Sequence, residues 1–69
     1  MKTNYEIIEY RGADIKYTAF AGTWEECNKW LNDNCHLEVE GLGDAYWASN
    51  DPSCVNGDGF AFRYTINEN

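Results

Sequence analysis

From Phe60 to Ile66 the chain alternates without a break. Phe60, Phe62, Tyr64 and Ile66 fall on one side; Ala61, Arg63 and Thr65 fall on the other. A period of two marks a strand with one buried face. Two further runs near the N-terminus carry the same signal. In Ile15 to Ala21, Ile15, Tyr17 and Ala19 oppose Lys16, Thr18 and Phe20. In Tyr5 to Tyr10, Tyr5 and Ile7 share one face, while Ile8 and Tyr10 share the other. Neither face of that first run is cleanly polar, which predicts a central strand or a bulge. Arg11-Gly12-Ala13-Asp14 joins the two runs into a hairpin.

Gly22 ends the second run, and the period then changes. Thr23 followed three residues later by Glu26 is a capping box. The hydroxyl accepts from the Glu26 amide, and the carboxylate reaches back to the Thr23 amide. Glu25 and Glu26 also suit the positive end of a helix dipole. Beyond them Trp24, Cys27, Leu31 and Cys35 fall within an arc of about 80° at helical spacing, with Trp30 at its border. Glu25, Asn28, Lys29, Asn32 and Asp33 face outward. The spacing predicts a helix from Trp24 to about Asn34. His36 to Glu40 alternates briefly before Gly41-Leu42-Gly43. Asp44 to Ser49 is a strand centred on Tyr46 and Trp47, and Asn50 to Asp58 is a loop.

The expected fold is therefore α+β in β-β-α-β-β order. One helix packs its Trp24, Cys27 and Leu31 stripe on a mostly antiparallel sheet of three to five strands. Phe60, Phe62 and Ile66 are expected to complete that core. A chain of 69 residues has room for a single domain, 1–69. Its 11 aromatic residues supply large buried area where other small domains use disulfides or metals. The odd count of three cysteines argues against a closed disulfide framework. A link between Cys35 and Cys54 requires the loop to fold over the helix end. No apolar stretch reaches membrane-spanning length, and the first residues do not read as a signal peptide. The expectation is a cytoplasmic protein with reduced thiols and no membrane partner.

Charge changes the picture more than composition does. Between Glu25 and Asp58 stand eight acids and one base, and this segment carries the whole net charge of −7. Elsewhere Glu6, Glu9, Asp14 and Glu68 balance Lys2, Arg11, Lys16 and Arg63. Five scattered cations in such a field cannot build a groove for phosphates, so direct nucleic-acid binding is excluded. Cys27, Cys35, His36 and Cys54 are metal-ligand types at the wrong spacing, and no metal or cofactor is expected. Asn56-Gly57-Asp58-Gly59 with Asp51 lacks the closing Glu and alternate ligands of a calcium loop, and reads as a turn. His36, just past the helix, is expected to be held protonated by the helix dipole. Carboxylate pairs are abundant, but one helix on one sheet leaves little volume for a catalytic cleft. The expectation is a non-enzymatic protein.

What remains is the acid pattern. Glu25, Asp33, Glu38, Glu40, Asp44, Asp51 and Asp58, with Trp47 as an anchor, form a candidate surface that imitates phosphates and bases. Its expected partner is a basic surface of a host protein that handles nucleic acid. In its hairpin-then-helix start, its Gly22-Thr23-Trp24-Glu25-Glu26-Cys27 segment and its later Trp30-Leu31, the chain resembles the small acidic accessory proteins of bacteriophages. Many of those inhibit host defence nucleases, including restriction and CRISPR systems. The resemblance covers about the first half and transfers no residues. The alternative is a monomeric or homodimeric interaction module that uses exposed aromatics such as Tyr46 and Trp47, with the charge serving solubility.

Overall fold

The computed structural model describes residues 4–12, 14–39, 41–43 and 45–69. Five strands and one helix follow each other as β1 (Tyr5–Tyr10), β2 (Lys16–Gly22), α1 (Trp24–Asn34), β3 (Cys35–Val39), β4 (Ala45–Ser49) and β5 (Arg63–Glu68). The class is α+β. The strands form one sheet in the order β2-β1-β5-β4-β3, and every neighbouring pair is antiparallel. A hairpin and a three-stranded meander meet where β5 pairs with β1. The helix carries the chain from the β2 edge to the β3 edge.

The helix begins as its first residues dictate. The Glu26 amide donates to Thr23 Oγ1 at 3.2 Å, and the Thr23 amide donates to Glu26 Oε1 at 2.9 Å. Gly22 gives that carboxylate its space, since a Cβ there would stand 2.7 Å from Glu26 Oε1. The end is less conventional. No glycine closes the helix; Cys35 is already extended, and its amide donates to the Leu31 carbonyl. Cys35 is thus the first residue of β3, not the last of the helical stripe. The short alternation after the helix is a full strand, which brings the sheet to five.

Cys27 and Leu31 are fully buried, and with Ile7, Cys35 and Tyr64 they form the core. Trp30 joins them, with its ring 6.2 Å from Phe20 and 5.6 Å from Tyr64. Two expected core residues lie elsewhere. Trp24 is 49% exposed, in edge contact with Tyr5 at the helix start. Phe60 is 67% exposed, because a tight turn captures it. Asn56 Oδ1 accepts from the Asp58 and Phe60 amides, and the Asn56 amide donates to the Phe60 carbonyl. The final strand therefore begins at Arg63, three residues later than the alternation implies. Phe62 and Ile66 do pack against the core. The predicted bulge is present where the β1–β2 register shifts between Ile7 and Ile8.

Candidate functional site

Strand alternation divides the sheet into two chemically different faces. The helix side carries Tyr5, Ile7 and Glu9 of β1, opposite Glu68, Ile66 and Tyr64 of β5. Trp47 of β4 lies opposite Tyr64, and Leu37 of β3 lies opposite Trp47. The open side carries Glu6, Ile8 and Tyr10, then Arg63 and Thr65, then Tyr46, then His36 and Glu38.

A polar network crosses the open face. The His36 ring reaches Asn50 Oδ1 through Nδ1 at 2.6 Å and Glu38 Oε1 through Nε2 at 3.1 Å. The Tyr46 hydroxyl donates to the second Glu38 oxygen at 2.8 Å. The Arg63 guanidinium lies 4.4 Å above the Tyr46 ring. Asn50 first, and Glu38 second, raise the His36 pKa. Tyr46 first, and His36 second, lower that of Glu38. The proton on His36 is thus favoured by its hydrogen bonds to Asn50 and Glu38. Beside this network Tyr10, Tyr46, Phe60, Arg63, Thr65 and Asp58 line an open concavity of about 550 Å³.

A second polar cluster is buried on the helix side. Glu9, 9% exposed, accepts from the Tyr64 hydroxyl at 2.6 Å and pairs with Arg11. Arg11 in turn lies 4.7 Å over Tyr17 and 5.2 Å over Phe62. Burial, then the Glu9 hydrogen bond, push the Tyr64 phenol far above its usual range. It therefore acts as a donor and not as an acid. Burial pushes the Cys35 thiol up to about 11 and raises Cys27 as well. Both are protonated at neutral pH and are poor nucleophiles or metal ligands. All three cysteines are free thiols. Among the described residues no three His, Cys, Asp or Glu side chains are grouped to hold a metal ion.

The acids of the expected surface are exposed where they are described, but they are spread over several elements. Glu25 lies in the first turn of α1, and Asp33 in its last turn, paired with Lys29 at 2.7 Å. Glu38 belongs to the open-face network, and Asp58 lines the concavity. Asp51 accepts from the Ser53 amide and hydroxyl, which lower its pKa. Trp47 sits on the helix side, half-buried against the core. Glu40 and Asp44 lie outside the described residues. Glu38 and Asp58 are linked only through Tyr46, which donates to Glu38 and lines the concavity with Asp58. Glu25 and Asp33 lie on the helix, Trp47 lies on the helix side of the sheet, and Asp51 follows Asn50 of the network. Sequence reasoning missed the His36–Glu38–Tyr46–Asn50 network. The one local hint was His36 and Glu38 at strand spacing; their partners depend on register.

No protein-family model matches the chain, and no characterised protein or solved structure is significantly similar to it. Among the described residues no helix is long and apolar enough to cross a membrane.

Proposed function

We propose that this chain is a non-enzymatic binding protein whose acidic surface occupies a basic site on another protein. The partner class that fits best is an enzyme with a basic nucleic-acid channel, so that the bound chain acts as an inhibitor and a nucleic-acid mimic. A phage-encoded inhibitor acting in its host's cytoplasm fits this reading. One observation carries it: twelve acids face five cations, and Glu25, Asp33, Glu38, Asp51 and Asp58 are all exposed. At least two of the cations, Arg11 and Lys29, are already paired within the chain. The excess negative field therefore projects into solvent, where it steers basic surfaces.

Affinity capture from bacterial lysate at low and high salt, with mass-spectrometric identification of what is retained, tests the reading. Retention of a basic nucleic-acid enzyme that is lost at high salt is the expected result. The variant Asp33→Lys, Asp44→Lys, Asp58→Lys changes the charge by two at each position, from −7 to −1. It should slow association with that enzyme by about tenfold or more. An unchanged rate would leave the charge as a solubility coat. The second reading, an interaction module built on aromatics, is favoured by Tyr10, Tyr46 and Phe60 around the open concavity. Salt-insensitive binding abolished by Phe60→Ala would select it.

A further inference from the structure

The two edges of the sheet are not equivalent. On one edge, β2 carries Lys16, meets a register shift against β1, and has the Arg11 guanidinium over its Tyr17 ring. Charged residues and bulges of this kind discourage the pairing of another strand. At the other edge, β3 pairs with β4 in five consecutive steps without a shift. It has no Lys, Arg or Pro, and among the described residues no strand lies beyond it. Its backbone donors and acceptors on the outer side form a straight template. Its side chains add a second signal. Leu37 and Val39 are 55% and 67% exposed, and Leu42 in the following turn is fully exposed. Leu37 lies directly across from Trp47, so an apolar row continues the helix-side face to the rim. On the other face of the strand, Glu38 is exposed, and Tyr46 and His36 hold it in its charged form.

We infer that the outer edge of β3 receives an extended basic segment of the partner protein as a sixth strand. The added strand places apolar residues beside Leu37 and Val39 and lysines or arginines on the Glu38 side. This inference rests on the acidic-surface reading and names how the partner is gripped. Charge decides the occupant. A second copy would bring two molecules of charge −7 together along one edge, whereas a basic segment is drawn to it. Main-chain hydrogen bonds then supply binding that is indifferent to sequence, and the alternation of the added strand supplies the selection.

The probe is a synthetic octapeptide of alternating Val and Lys, compared with an isomer of four Val followed by four Lys. Both have the same charge, so attraction to the acidic surface alone treats them equally. The expected result is about tenfold tighter binding of the alternating peptide, with hydrogen-exchange protection appearing at the amides of 37 and 39, which point away from β4. The double variant Leu37→Glu, Val39→Glu separates the two ideas, because it adds negative charge while removing the apolar row. Edge pairing expects the alternating peptide to bind about tenfold more weakly to this variant. Tighter binding to it, or equal binding of the two isomers, would overturn the edge while leaving the acidic-surface reading in place. Protection of 37 and 39 in the peptide-free protein, rising with concentration together with a dimer in sedimentation, would assign the edge to a second copy and overturn the inference.

Discussion

His36 and Tyr64 show how single side chains take their chemistry from a partner that only the register supplies. His36 has its pKa raised above the ordinary 6.5. Its contribution to stability is therefore fully present below about 6.5 and is lost as pH rises through the folded value. Glu38 has its pKa lowered below the ordinary 4.5. Its contribution is present above 4.5 and is lost as pH falls through its own folded value. The network is strongest between those two limits. An NMR titration of the imidazole should show Asn50→Ala lowering the His36 pKa most, and Glu38→Gln lowering it less. A His36 that titrates alike in all three proteins would mean that the network does not form in solution. Tyr64 belongs to the buried pair. Tyr64→Phe removes a hydrogen bond to the Glu9 carboxylate, 9% exposed, and should cost about 1.5–3 kcal/mol in denaturant unfolding.

Elements are held by their ends as much as by their faces. Because Thr23 and Glu26 cap each other, Thr23→Ala should cost about 0.5–2 kcal/mol. Gly22→Ala acts on the same cap from outside. Its methyl would stand 2.7 Å from Glu26 Oε1, so the carboxylate should swing away and release the Thr23 amide. Hydrogen exchange at that amide should quicken in both variants, and equal protection in Gly22→Ala would show that the carboxylate accommodates the methyl in place. At the centre of the helix face Leu31 is fully buried. Leu31→Ala should cost about 2–5 kcal/mol, a large share of the roughly 5–15 kcal/mol that holds a small domain together.

The described residues form one helix on one side of a five-stranded sheet, and the shape shows it. Its extents are 41 × 24 × 22 Å, and its radius of gyration of 12.1 Å exceeds the roughly 11 Å of a rounder chain of this length. Among the described residues no helix covers the second face, and the open-face network and the concavity reach solvent there. The net charge of −7 acts at this scale too. Like charges on a compact body repel, and salt screens that repulsion over about 10 Å at 0.1 M. Thermal unfolding should therefore shift upward as sodium chloride is raised through the first few tenths molar. A melting temperature indifferent to salt would mean that repulsion among the excess carboxylates changes little on unfolding.

Read without coordinates, the chain announces its helix, its hairpin and its class. The reason is that capping boxes, helical stripes and strand alternation act over a few residues. The helix limits Trp24–Asn34 and the buried pair Cys27 and Leu31 follow from such local rules. Exposure of Glu25, Asp33, Glu38, Asp51 and Asp58 follows as well, since charged side chains are almost never buried unpaired. Register is different, because it depends on contacts between residues far apart in the chain. Tertiary structure alone decided that Tyr64 would meet Glu9, 55 positions away, and that Glu38 would lie beside Tyr46. It also decided that Phe60 would be taken by its turn instead of the core. Each outcome depends on which strand lies alongside which, and a period of two is the same whatever neighbour the strand finds. The placement of β3 at an edge, with Leu37 and Val39 exposed, is of the same kind: the alternation of that segment is local, but its position as an outermost strand among the described residues is a property of the assembled sheet.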